Sequence, residues 1–209
     1  MAEHQPASRP PDDGLGPSGW LGPAAVLVPV KSFAEAKVRL APALSPEDRA
    51  HLAQAMATAV VQAAAPLPVA VVCDDREVAA WARRCGALVV WEPGRGLNGA
   101  VEAGIEQLGR AGVRRVVVAH GDLPRAAGLA ALAGESGVLL VPDRRRDGTN
   151  VASIPPAAGF RFSYGPGSFA RHQVEAARLG LALTVVDDPL LAFDVDVPDD
   201  LDVLSRGAC

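Results

Sequence analysis

Three aspartates in this chain do chemistry together only if the fold brings them to one place. Asp122 stands in His120-Gly121-Asp122-Leu123-Pro124, on the loop just past a run of valines at residues 113–119. Asp194 and Asp196 lie two apart in LAFDVDV, residues 191–197. Read as a strand, that segment projects both carboxylates from one face, about 7 Å apart at Cα, while Phe193, Val195 and Val197 point the other way. Like charges on one sheet face repel, and a core face does not tolerate them unpaired. Two arrangements remove the conflict. One is a divalent cation, since Mg²⁺ is commonly held by one or two carboxylates plus substrate phosphates; the other is a solvent-facing strand end with ordinary surface acids.

Cations lie earlier in the chain. Lys31, Lys37 and Arg39 follow the first apolar run, so in a parallel sheet their loop shares an edge with Asp122. They could neutralise a nucleoside triphosphate, or form a solvated basic loop. The stretch is not a P-loop, because the glycine spacing and the Lys-Ser/Thr pair are absent. Gly165-Pro166-Gly167-Ser168 precedes a helical pattern. Amides at a helix start, with a serine hydroxyl, suit a phosphate or carboxylate, and a Gly/Pro turn with Ser168 as N-cap explains the same residues. Gly148-Thr149-Asn150 reads as a turn, or as an anion contact if its loop folds over the site. Arg144, Arg145 and Arg146 before it form a cationic lid or an exposed loop, with exposure expected for at least two. His51 falls within a helical pattern and reads as structural, His120 beside Asp122 could touch a ligand but reads rather as strand-end packing, and His172 has no Ser or Cys partner at a recognisable spacing, so Ser-His-Asp catalysis is not indicated.

The elements that must position these groups alternate regularly. Continuous apolar runs at 24–30 (AAVLVPV), 67–73 (LPVAVVC), 87–91 (ALVVW), 113–119 and 137–142 (GVLLVP) read as buried strands. Helical patterns separate them. The first opens on Ser45 as N-cap with Pro46 and Asp48 behind it. The second follows Asp74-Asp75 and runs to Cys85, where Gly86 stops it. The third covers about 98–111, and a short one covers 129–133. Strands at 150–154, 181–186 and 191–197, a helix at 169–179 and a final helix opened by Pro198-Asp199-Asp200 complete the chain. Strands alternating with helices predict an α/β doubly wound, mostly parallel sheet, in which ligands bind at the carboxyl ends of the strands.

Composition bounds the function. The chain has 209 residues, 49% of them hydrophobic, enough for one α/β domain over 23–209 behind a Pro/Gly-rich, disordered extension at 1–22. A net charge of −4 and a pI near 5.6 argue against a nucleic-acid partner. Three scattered cysteines indicate neither a disulfide framework nor a zinc site and fit a reducing cytoplasm. No apolar run approaches the roughly 20 residues of a membrane span. Homodimerisation is left open.

Six motifs occur in order: PVKSFAEAKVRLAPALSPEDR, GRGLNGAV, HGDLP, PDRRRDGTN, FSYGPGSFARH and FDVDVPDDL. Together they resemble the guanylyltransferases of coenzyme F-420 biosynthesis, which act on 2-phospho-L-lactate or phosphoenolpyruvate, and the resemblance covers about residues 24–205. It implies a Rossmann-like nucleotidyltransferase fold and a reaction of GTP with a small phosphorylated carboxylic acid, giving a guanosine diphosphate-linked product and pyrophosphate. By matching motifs, Asp122, Asp194 and Asp196 would bind Mg²⁺, and Thr149, Gly165 and Ser168 would contact the acid. Lys31, Lys37 and Arg39 would face the triphosphate, Lys31 and Lys37 with Asp122 carrying the catalysis. Leu97 and Asn98 would lie near the guanine. The family commonly has a small residue where this chain has His120. The Ala/Arg/Gly-rich composition points to a high-GC bacterial relative, and so to phosphoenolpyruvate before 2-phospho-L-lactate or 3-phospho-D-glycerate. A metal-dependent glycosyltransferase would share a D-x-D pair, but normally mid-chain; a non-catalytic nucleotide-binding module would bind GTP without turnover.

Overall fold

The computed structural model describes residues 22–206; the expected extension at 1–22 lies outside them except for Gly22. Seven strands form one sheet in the order β3-β2-β1-β4-β6-β5-β7: β1 (Ala24–Pro29), β2 (Val69–Cys73), β3 (Leu88–Trp91), β4 (Arg115–Ala119), β5 (Val138–Pro142), β6 (Thr149–Ile154) and β7 (Leu183–Val185). Helices α1 (Pro46–Ala63), α2 (Arg76–Arg84), α3 (Gly96–Arg110), α4 (Ser168–Arg178) and α5 (Pro198–Arg206) complete it. Strand β1 pairs in parallel with both β2 and β4, β2 with β3, and β5 with β7. Only β6 runs antiparallel, against β4 and β5. A parallel return from β5 would need a crossover of a dozen or more residues, and the six-residue loop 143–148 permits only a hairpin. Among the described residues no helix is long and apolar enough to cross a membrane.

Alternation along the strands divides the core in two. Val26, Val28, Val71 and Val117 pack with residues of α1 and α2 on one face of the sheet. Ala25, Leu27, Val72, Val116 and Val118 pack with residues of α3 and α4 on the other. Helix α3 approaches β1 closely through Gly104, where an added Cβ would stand 2.9 Å from Leu27 Cδ2. The first helix starts as its sequence dictates: the Ser45 hydroxyl accepts the Asp48 N–H. Asp75 caps α2 by accepting the N–H groups of Glu77 and Val78. Ser168 departs from expectation. Gly167, in the left-handed region at φ 71°, is the N-cap of α4, and Ser168 is its buried first residue.

The predicted strand over 191–197 is not part of the sheet. Its alternation is real, with Phe193 and Val195 buried against Leu40 and Met56 in a small satellite core. Its backbone, however, is held by side chains. Asp200 accepts the N–H groups of Asp196 and Val197, and Arg144 donates to the Asp194 carbonyl. With those groups satisfied, the segment needs no neighbouring strand.

Candidate active site

The loops after β1 and β4 meet where the sheet's parallel half ends. Lys37 sits in the left-handed region, φ 54°, ahead of a 3-10 turn at Val38–Leu40, an uncommon conformation for a residue with a Cβ. From there its ammonium donates to Asp122 Oδ2 at 2.5 Å and to Asp196 Oδ1 at 2.9 Å. Arg39, exposed, reaches the other oxygen of Asp196 at 3.4 Å. Two acids 74 residues apart in the chain are therefore joined by one half-buried lysine.

The electrostatics follow from that geometry. Burial alone would lower the Lys37 pKa, but the charges of Asp122 and Asp196 overcome it and hold it above its ordinary value. Burial would likewise raise Asp122, and Lys37, with a smaller contribution from His120, keeps it below the usual carboxylate range. Asp194 shifts the other way. Burial first, and then the charge of Asp122, push its carboxyl up to about 6.

The three aspartates do not by themselves converge on one point: among the described residues no three acidic, imidazole or thiol side chains are gathered as a metal-ligating set. Two observations nonetheless fit a divalent cation. Asp122 Oδ1 is buried without a hydrogen-bond partner among the described residues, and burial with the charge of Asp122 holds Asp194 towards its neutral form. Two carboxylates with substrate phosphates are a common Mg²⁺ ligand set.

One cavity opens on this centre and a second adjoins the first. The first, of about 330 Å³, is lined by Lys31, Phe33, Lys37, His120 and Asp122 among others. The second, of about 440 Å³, lies at the ends of β1, β2 and β3 and is lined by Cys73, Asp74, Glu92 and Gly96. Lys31 and Leu97 belong to both walls. Asn98 has another duty: its carbonyl oxygen accepts the Tyr164 N–H at 2.7 Å, tying α3 to the loop before α4.

The β5–β6 loop, residues 143–148, is held by its own carboxylates and braces the start of α4. Asp143 accepts the N–H groups of Arg145, Asp147 and Gly148. Asp147 accepts those of Gly167, through its carboxylate, and Phe169, through its carbonyl, while Ser168 N–H donates to the Gly165 carbonyl. These amides at the start of α4 already have partners, so an anion there meets fewer open donors than the sequence suggests. All three arginines of the loop are exposed, but two are fastened: Arg144 pairs with Asp200 and stacks over Phe193, and Arg146 pairs with Asp187 over Phe169.

His172, which the sequence singles out only as lacking a nucleophile, is a buried structural hub. Its Nε2 accepts the Ser163 N–H at 3.0 Å, so the neutral ring carries its proton on Nδ1 and donates it to Thr149 Oγ1, also at 3.0 Å. Ser168 Oγ meanwhile accepts the Thr149 N–H. Thr149 and Ser168, distant in sequence, are thus joined, and both hydroxyls keep their own protons to donate. Burial, and then the charge of Arg171, lower the His172 pKa to about 4. The unfolded chain protonates a histidine near 6.5, so the stability from the neutral ring is complete above pH 6.5 and is lost as pH falls towards 4. The full loss is on the order of 3 kcal/mol. Urea unfolding of the wild type and of His172→Gln between pH 7 and pH 4 checks this: the variant should lack that part of the acid sensitivity, and equal slopes would refute it.

Asp200, Tyr164 and His172 are site-region residues to which sequence reading gives no role in the site. Only Asp200 had a signal, as an acid in the first turn of α5.

The fold defines the class. The structure resembles a nucleotide-diphospho-sugar transferase from Desulfovibrio desulfuricans, so described provisionally (TM-score 0.73, 17% identity, covering 88% of this chain and 87% of that one). It also resembles a nucleotidyl transferase from Methanothermobacter (TM-score 0.63, 15% identity, 89% and 97%). The fold is the Rossmann-like fold of nucleotidyltransferases. Sequence comparison is more particular. The family model "Guanylyl transferase CofC like" matches residues 24–207. A phosphoenolpyruvate guanylyltransferase from Sphaerobacter thermophilus is 37% identical over 191 residues, covering 87% of this chain and 92% of its own. A 2-phospho-L-lactate guanylyltransferase from Methanothermobacter thermautotrophicus is 33% identical over 183 residues, covering 84% and 81%. The chain belongs to the CofC-like guanylyl transferase family and is a nucleotidyltransferase.

Proposed function

We propose that this protein transfers the guanylyl group of GTP to phosphoenolpyruvate, giving enolpyruvyl-diphospho-guanosine and pyrophosphate, in the cytoplasmic synthesis of coenzyme F-420. The observation that carries the reading is the Lys37–Asp122–Asp196 centre beside two adjoining cavities. The choice of acid rests on relatives such as that from Sphaerobacter thermophilus. The Methanothermobacter relative's name keeps 2-phospho-L-lactate as the second reading, and 3-phospho-D-glycerate is a third acid of the same kind.

In this reaction a phosphate oxygen of the acid attacks the α-phosphorus of GTP, the bond to the β-phosphate breaks, and pyrophosphate leaves with that electron pair. The nucleophile is already anionic, so no general base is required, and positioning with charge neutralisation carries the step. Lys31, on the wall common to both cavities, and Lys37 and Arg39 are suited to the triphosphate. Leu97, on the same wall, suits the nucleoside. Thr149 and Ser168 offer hydroxyl protons to the acid, with Gly165 in the loop beside them. Asp122, Asp194 and Asp196 would hold Mg²⁺, which when bound neutralises charge on the phosphates and on the departing pyrophosphate.

Incubating purified protein with GTP, MgCl₂ and each acid in turn tests the reading. Acid-dependent pyrophosphate release, fastest with phosphoenolpyruvate and accompanied by a product of the corresponding mass, is expected. GTP binding without release under any acid, or turnover of a nucleotide sugar instead, would reject it.

A further inference from the structure

Six buried side-chain polar atoms lack a partner among the described residues: Arg49 Nε, Trp91 Nε1, His120 Nε2, Asp122 Oδ1, Ser153 Oγ and Tyr164 OH. Leaving such a group unpaired costs roughly 1–3 kcal/mol, so each calls for an explanation. Three of the six belong to neighbouring residues. His120 and Asp122 share the loop after β4 and line the same cavity with Lys37, and the Tyr164 ring lies against that of His120, centroids 4.6 Å apart.

The tyrosine is not loosely placed. Its ring stacks on Phe162 at 5.3 Å and meets His172 edge-on at 5.1 Å, and its N–H is held by Asn98. A ring held by three aromatic neighbours, with its buried hydroxyl unpartnered among the described residues, is preorganised for a ligand's polar atom. Tyr164 also stands directly before Gly165, in the loop that Thr149 and Ser168 adjoin.

We propose that Tyr164 OH and His120 Nε2 are hydrogen-bonding groups for the small phosphorylated acid, the phenol donating to one of its carboxylate or phosphate oxygens. Neither residue is among those carried over from the family motifs, and the proposal rests on the guanylyl-transfer reading. The acid matches the phenol in charge and in chemistry, because a phosphorylated carboxylate carries only acceptors and Tyr164 has a proton to give. Burial raises the phenol's pKa, so that proton is retained across the working range.

Tyr164→Phe removes the hydroxyl and nothing else. The acid's KM should rise about tenfold, equivalent to about 1.4 kcal/mol, with the KM for GTP within about twofold of wild type. Since the change also deletes an unsatisfied buried group, the ligand-free melting temperature should stay level or rise. His120→Phe should shift the same KM in the same direction. A wild-type acid KM in Tyr164→Phe overturns the proposal. So does a rise shared equally by GTP or accompanied by a lowered melting temperature, which would mark the hydroxyl as structural. If the wild type releases no acid-dependent pyrophosphate, the functional reading itself has failed; if it does and Tyr164→Phe matches it, only this inference falls.

Discussion

Asp122→Asn should reduce pyrophosphate release by roughly 10³-fold or more, the order seen when a charge-stabilising group is taken from a transition state, with the fold retained. The substitution keeps the shape of the side chain and its ability to accept from Lys37, so its cost to stability should be about 1–2 kcal/mol. What it removes is the charge. Asp122 lies at the meeting point of the loops after β1 and β4. One of its oxygens engages the half-buried lysine, and the other has no partner among the described residues. If that second oxygen serves a cation, the asparagine cannot replace it. Steady-state pyrophosphate assays at saturating GTP and acid, over a range of MgCl₂, measure the loss, and circular dichroism reports the fold. Turnover within tenfold of wild type would remove Asp122 from the chemistry.

Lys37→Met should damage both stability and turnover, and the two effects can be separated. Breaking a buried ion pair by removing one member typically costs about 3–5 kcal/mol. Here the Asp196 side chain is 40% exposed, so solvent screening reduces the expectation to roughly 2–3 kcal/mol. The loss comes from leaving Asp122 and Asp196 near one another, with Asp194 adding to the repulsion. Neutralising one acid as well should therefore recover stability: Lys37→Met/Asp122→Asn is expected to unfold at higher urea than Lys37→Met alone. Activity should stay lost in both. Additive stability losses in this double-mutant cycle would show that the lysine and the aspartate are not coupled.

Local chemistry was legible in the chain wherever short-range physics decides it. Ser45 and Asp75 begin helices because each supplies an oxygen to amides two or three residues on. The valine-rich runs form buried strands because only a sheet covered on both faces accepts side chains apolar on both sides. Motif order along the chain sufficed for the family, and so for the class of reaction. Phe193 and Val195 alternate with Asp194 and Asp196 as a strand would require, but alternation reports only which side is buried. Asp200 and Arg144 supply the bonds that a neighbouring strand would have supplied, and no local pattern announces that.

The tertiary structure decided the pairings. Lys37 looked like one cation among three in a basic loop; its left-handed backbone and the approach of two distant segments place its ammonium between Asp122 and Asp196. The start of α4 looked open to anions, and Asp147 occupies part of it. Tyr164 and His172 stand in a quoted motif, but neither periodicity nor spacing says which polar atoms they meet. Their roles come from which polar atoms are buried and which of those find partners. Hydrogen-bond satisfaction is a property of groups brought together from across the chain, whereas capping, alternation and turn chemistry act over a few residues, so sequence determined the elements and the family, and packing alone determined which charges and donors meet.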